Sequence, residues 1–124
     1  MRPLAADGKQ LSSILLVGWY PELMLTRSAI LRSEGYGVKE MYDLQEALRI
    51  LKTTDVALVI VCSSIPRKLR RALISDMKHT KPFTPILVFG HGIREADTSM
   101  PALASPEMFL RCVASLVNQA RRQL

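Results

Sequence analysis

The chain alternates between short, unbroken apolar runs and longer stretches whose apolar residues recur at helical spacing. SILLV at 13–17, VALVIVC at 56–62 and PILVF at 85–89 are apolar at consecutive positions, and YGVKEMY at 36–42 is a weaker run of strand length. A strand with no polar face is covered on both sides. That is the pattern of a parallel sheet between helical layers, not of a half-exposed antiparallel one.

The stretches between these runs predict helices. From Glu22 to Glu34, Leu23, Met24, Ile30 and Leu31 sit at helical spacing, and Gly35 supplies the stop. Asp43 is a natural N-cap for DLQEALRILKT, with Ala47, Leu48 and Leu51 on one face. RKLRRALISDMKH at 67–79 puts Leu69, Ala72, Leu73 and Met77 on one side. A last helix is expected from Pro106 to Arg121, with Ser105 and Pro106 as its start signals and Phe109, Val113 and Leu116 inward. Right-handed crossovers between parallel strands leave few topologies. Only 15 residues, Gly90 to Ala104, separate the last clear strand from the last helix. That room holds a very short helix or strand, not a full pair. The expected fold is α/β, with four to five parallel strands and helices on both faces.

Composition adds bounds rather than a fold. At 124 residues, 48% hydrophobic and 23% charged, the chain suits one globular domain, read here as 13–124 behind a loose leader at 1–12. Two cysteines make no disulfide framework, which favours a reducing cytoplasm. SILLVGW is too short for a membrane span and soon meets Pro21. The net charge of +6 permits acidic partners without specifying one.

With the elements placed, ILLVGWYPEL, SEGYGV, YDLQEALRIL, LVIVCSSIP, PILVFG and SPEMFLRCV together resemble the response-regulator receiver domain, a flavodoxin-like α/β fold, over roughly 13–121. Receivers accept a phosphoryl group from a histidine kinase on an aspartate that ends the third strand. The resemblance places Cys62 there, four residues before the matching Pro66. The acidic pair that binds Mg²⁺ in the family corresponds to Gly18 and Trp19, the hydroxyl residue after the fourth strand to Gly90, and the lysine near the fifth strand to Ala102. Magnesium wants hard oxygen ligands, which neither glycine, indole nor thiol supplies. The resemblance therefore implies a degenerate, stand-alone receiver: no enzyme, no cofactor, no Mg²⁺, and signalling through protein–protein contact with a histidine kinase or another regulator.

Other signals keep alternatives open. Cys62 is a buried packing residue or, paired with His91 at the carboxyl ends of adjacent strands, a thiol-based sensor or enzyme. Trp19 plugs the space left by the acids or is exposed as a partner anchor. Cys112, on the last helix, reads as structural. Arg67, Lys68, Arg70, Arg71, Lys78 and Lys81 face a single acid, Asp76, between residues 67 and 81, which makes a solvated face or a basic docking surface. A nucleic-acid-binding module is the third reading; no helix-turn-helix, zinc-finger or RNA-binding signature accompanies the basic run.

Overall fold

The computed structural model describes residues 13–122, with side chains to residue 120. The expected leader at 1–12 lies outside the described residues. Five strands and four helices follow in order: β1 (Ser13–Val17), α1 (Pro21–Ser33), β2 (Gly37–Met41), α2 (Leu44–Thr53), β3 (Leu58–Val61), α3 (Arg67–Thr80), β4 (Ile86–Phe89), β5 (Thr98–Met100) and α4 (Pro106–Arg122). The strands form one sheet, all pairs parallel, in the order β2-β1-β3-β4-β5. This is the flavodoxin-like order expected from the sequence.

The period-two geometry of a strand sorts each apolar run into two cores. Ile14, Leu16, Leu58, Ile60, Leu87 and Phe89 face α1 and α4, where they meet Met24, Leu31, Phe109 and Val113. Leu15, Val17, Val59, Val61, Ile86 and Val88 face α2 and α3, where they meet Ala47, Leu51, Leu73 and Met77. The local signals behave as their chemistry dictates. Asp43 accepts from the Glu46 N–H at 3.1 Å, and Ser105 Oγ from the Met108 N–H at 3.2 Å. α1 ends in a Schellman motif: Gly35 has φ of 94°, its N–H donates to Arg32 O, and the Tyr36 N–H donates to Leu31 O.

Two details depart from the sequence pattern. The buried stripe of α3 is Arg70, Leu73, Ile74 and Met77, while Leu69 and Ala72 are exposed. The helix is turned by about one residue (100°) from the expected face, because Arg70 enters the interior. Second, the segment between β4 and α4 contains the short strand β5 and no helix. Ile93, in the β4–β5 loop, is 3% exposed and covers the α3-side core where the chain has no further helix.

Candidate functional site

In this topology the crevice lies beyond the carboxyl ends of β1 and β3, where the strand order reverses. Backbone bonds carry both ladders one residue past the strands: the Gly18 N–H donates to Met41 O at 3.1 Å and the Cys62 N–H to Val17 O at 2.8 Å. Gly18 and Cys62 are thereby pressed together at the head of the crevice. A β-carbon on Gly18 would lie 2.8 Å from Cys62 Cβ, 2.9 Å from Met24 Sδ and 3.2 Å from Cys62 Sγ. Sulfur therefore fills the place where the resemblance puts a carboxylate. Hard oxygen ligands for magnesium do not fit, and no cluster of three or more metal-ligating side chains occurs among the described residues.

Arg27 closes the site from α1. It is 6% exposed. Its guanidinium lies 3.7 Å from the centre of the Phe89 ring, and Nη2 donates to Ala102 O at 3.0 Å. Phe89 in turn packs on Phe109, with ring centres 5.6 Å apart. Ala102, which aligns with the family's lysine, thus supplies only a backbone carbonyl, and the cation arrives from another element. Arg27 is absent from the sequence-level candidates, yet a signal for it exists. Met24 and Leu31, seven residues apart, define the buried stripe of α1, and Arg27 and Ser28 fall inside it.

Cys62 is 2% exposed, and its thiol lies 3.9 Å from Met24 Sδ. Burial pushes the thiol above its ordinary value, and Arg27 pulls the other way without overcoming it. A thiol so held is neutral, sterically shielded and a poor nucleophile. His91 is exposed on the loop after β4 and makes no hydrogen bond to the thiol; the groups acting on the sulfur are Met24 and Arg27. In a Cys112→Ser background, Cys62 alkylation is expected to be slower than that of a free thiol at neutral pH. Because the folded thiol holds its proton to higher pH than the unfolded one, stability is complete below the unfolded value and falls as pH rises through the folded one. Iodoacetamide kinetics against pH, with urea melts at neutral and alkaline pH, check both. Cys112 is half-buried against the same core.

Trp19 does not plug the crevice. It is 41% exposed, and its backbone N–H donates to Ser64 Oγ at 2.8 Å. The plug is Met24, and Ser64 ties the β1–α1 loop to the β3–α3 loop. Tyr20 at 51%, Leu25 at 60% and Leu103 at 93% exposure are further large apolar side chains left open, on the β1–α1 loop, on α1 and on the β5–α4 loop. Arg27 joins the two elements that carry Leu25 and Leu103, through Ala102 O.

The basic run is not a free surface as a whole. Arg67 donates to Gly92 O at 2.9 Å, and Arg70, 8% exposed, donates to Phe89 O. Arg71 pairs with Glu95 at 3.3 Å, and Lys78 with Asp97 at 2.7 Å. Asp97 also accepts from the Ile86 N–H at 2.7 Å. Three of the six expected docking residues, Arg67, Arg71 and Lys78, therefore hold the β4–β5 loop against α3, and Arg70 holds the end of β4. Lys68 makes no ion pair among the described residues, and Lys81 is half-buried where α3 ends. Gly90 explains the tightness at Arg70: its φ is +104°, and a β-carbon there would strike the Arg70 guanidinium. The family's hydroxyl residue has no room at this position.

No family model and no curated protein sequence matches the chain. Solved structures do. A CheY-like response-regulator receiver domain from Methanospirillum hungatei superposes with a TM-score of 0.82 at 15% identity, over 91% of this chain and 98% of that one. The receiver domain of a sensor histidine kinase from Pseudomonas aeruginosa, described with a magnesium ion coordinated in its active-site cleft, gives 0.77 at 18% identity over 86% and 98%. A chemotaxis protein of Vibrio cholerae gives 0.75 at 20% identity over 85% and 98%. The protein has the fold of receiver domains, with the sulfur-filled crevice described above.

Proposed function

We propose that the protein acts in signal transduction as a binding module on a receiver fold, presenting its surface to another protein without accepting a phosphoryl group. The observation that carries this reading is the packing of Gly18, Cys62 and Met24 Sδ in the space where the resemblance puts the metal and phosphoacceptor. Phosphoryl transfer needs positioned charge neutralisation. The cations that reach this crevice are already engaged, Arg27 by a ring face and a backbone carbonyl and Arg70 by Phe89 O. The chain is accordingly read as a non-enzyme. No described helix is long and apolar enough to cross a membrane.

The aromatic rim supports the binding role. Trp19 and Tyr20 are consecutive, exposed aromatic side chains at the mouth of the crevice, the residue types of an interface hot spot, and Leu25 and Leu103 are exposed elsewhere on α1 and the β5–α4 loop. A histidine kinase or a second regulator is the partner class that the fold suggests. Incubation with acetyl phosphate and Mg²⁺ is expected to leave the intact mass unchanged. A base-labile increment of one phosphoryl group would refute the reading.

A further inference from the structure

A second surface lies on the opposite face of the sheet from α1. Lys68, Arg71, Ala72 and Ser75, spaced i, i+3, i+4 and i+7, form one outward stripe of α3. With Glu95 from the β4–β5 loop they line an open groove of about 280 Å³. The groove exists because the chain passes from β4 to β5 without a helix, so that no described element covers this flank of α3.

Its chemistry is mixed. Lys68 is exposed and has no ion pair among the described residues, and Arg94, exposed on the same loop as Glu95, has none either. Arg67, at the top of the stripe, donates to a backbone carbonyl and faces no carboxylate within ion-pair distance among the described residues. Against these, Glu95 turns Oε2 to Arg71 at 3.3 Å. Its own backbone N–H first, and then Arg71, hold this carboxyl below the usual range, so it is ionised at neutral pH.

We propose that this groove docks a short acidic segment of a partner polypeptide. The segment places carboxylates on Lys68 and Arg67 and a small apolar side chain on Ala72, with an uncharged residue opposite Glu95. A phosphate chain fits less well. It carries a charge at every step, so one charge must fall against the ionised Glu95, whereas a peptide can set an uncharged residue there. From Lys68 to Ser75 the helix rises about 10 Å, the reach of roughly three extended residues. The surface is distinct from the aromatic rim, and the two together make the protein a bridge between partners.

The test is an amide-shift titration of the ¹⁵N-labelled full chain with a blocked peptide of alternating glutamate and alanine, at low salt. A single-stranded oligonucleotide of equal charge serves as the competing probe. Saturable shifts are expected at Lys68, Arg71, Ala72, Ser75 and Glu95, with the oligonucleotide weaker at the same residues. Lys68→Glu, at an exposed side chain that holds nothing in the fold, is expected to weaken peptide binding about fivefold. Absence of saturable shifts, shifts confined to the Trp19 rim, or tighter oligonucleotide binding would each overturn the proposal. None of these outcomes depends on whether Cys62 can be phosphorylated, so the two readings fail separately.

Discussion

Gly18→Asp, which returns a carboxylate to the position of the family's metal ligand, is expected to destabilise the protein by about 2–4 kcal/mol and to confer no phosphorylation. The β-carbon alone meets Cys62 Cβ at 2.8 Å and Met24 Sδ at 2.9 Å, inside contact distance. Met24 is fully buried, so its thioether has no empty space to enter. The carboxylate then adds a charge to a dry site. Arg27 Nη1, buried and without a hydrogen-bond partner, offsets part of that cost but cannot create volume. Gly18→Ala separates the two effects. It carries the steric clash, about 1–3 kcal/mol for overpacking, less the gain of up to ~1 kcal/mol from a stiffer unfolded chain. Urea midpoints should fall in the order wild type, Ala, Asp. An Asp variant as stable as wild type would mean that the crevice is roomier than the packing of sulfur around it allows.

Arg70→Met is expected to cost a similar amount and to act locally. Methionine keeps the aliphatic stem but loses the charge-assisted bond to Phe89 O, a type of bond worth about 1.5–3 kcal/mol. Desolvation, and then repulsion from Arg67, push the Arg70 guanidinium below its ordinary range, so the cation is held here at a cost. What it secures is the turn at Gly90, from which the β4–β5 loop starts. Hydrogen exchange should quicken in residues 90–97 more than in β1 or β3. Arg67→Met, at an exposed residue whose bond is to Gly92 O, should do the same more weakly. Equal effects from the two variants, or faster exchange spread evenly over the sheet, would contradict this division of roles.

These arginines also show where sequence reading reaches its limit. The unbroken apolar runs made the parallel sheet legible, because only strands covered on both faces lack alternation. Gly35, Asp43 and Ser105 marked helix ends by chemistry that is local, and local chemistry survives folding. The shortage of residues between Gly90 and Ala104 correctly excluded a helix–strand pair. Arg27 and Arg70 were not legible as interior residues, since hydropathy assigns arginine to water. Their phase relative to Met24 and Leu31, or to Leu73 and Met77, is the signal that overrides it. Whether a buried guanidinium finds carbonyls such as Ala102 O and Phe89 O depends on loops that are distant in sequence. The same holds for Trp19. Its place after β1 was readable, whereas its exposure follows from Met24 reaching the crevice first.

Substitution at Cys62, Gly18 and Gly90 could have left an open crevice lacking only its acids. The structure instead shows one refilled by Met24, Arg27 and Arg70. The end of β4 and the β4–β5 and β5–α4 loops are gripped through their backbone carbonyls by arginines from α3 and α1. On this account the fold stands in one state with no metal or phosphoryl group to set it.

A titration of the ¹⁵N-labelled protein with Mg²⁺ tests that account most directly. The amides of Gly18, Cys62 and Gly90 should stay in place throughout, with no saturable shift at the crevice. A saturable shift centred on these three residues would show a working metal site and contradict the account.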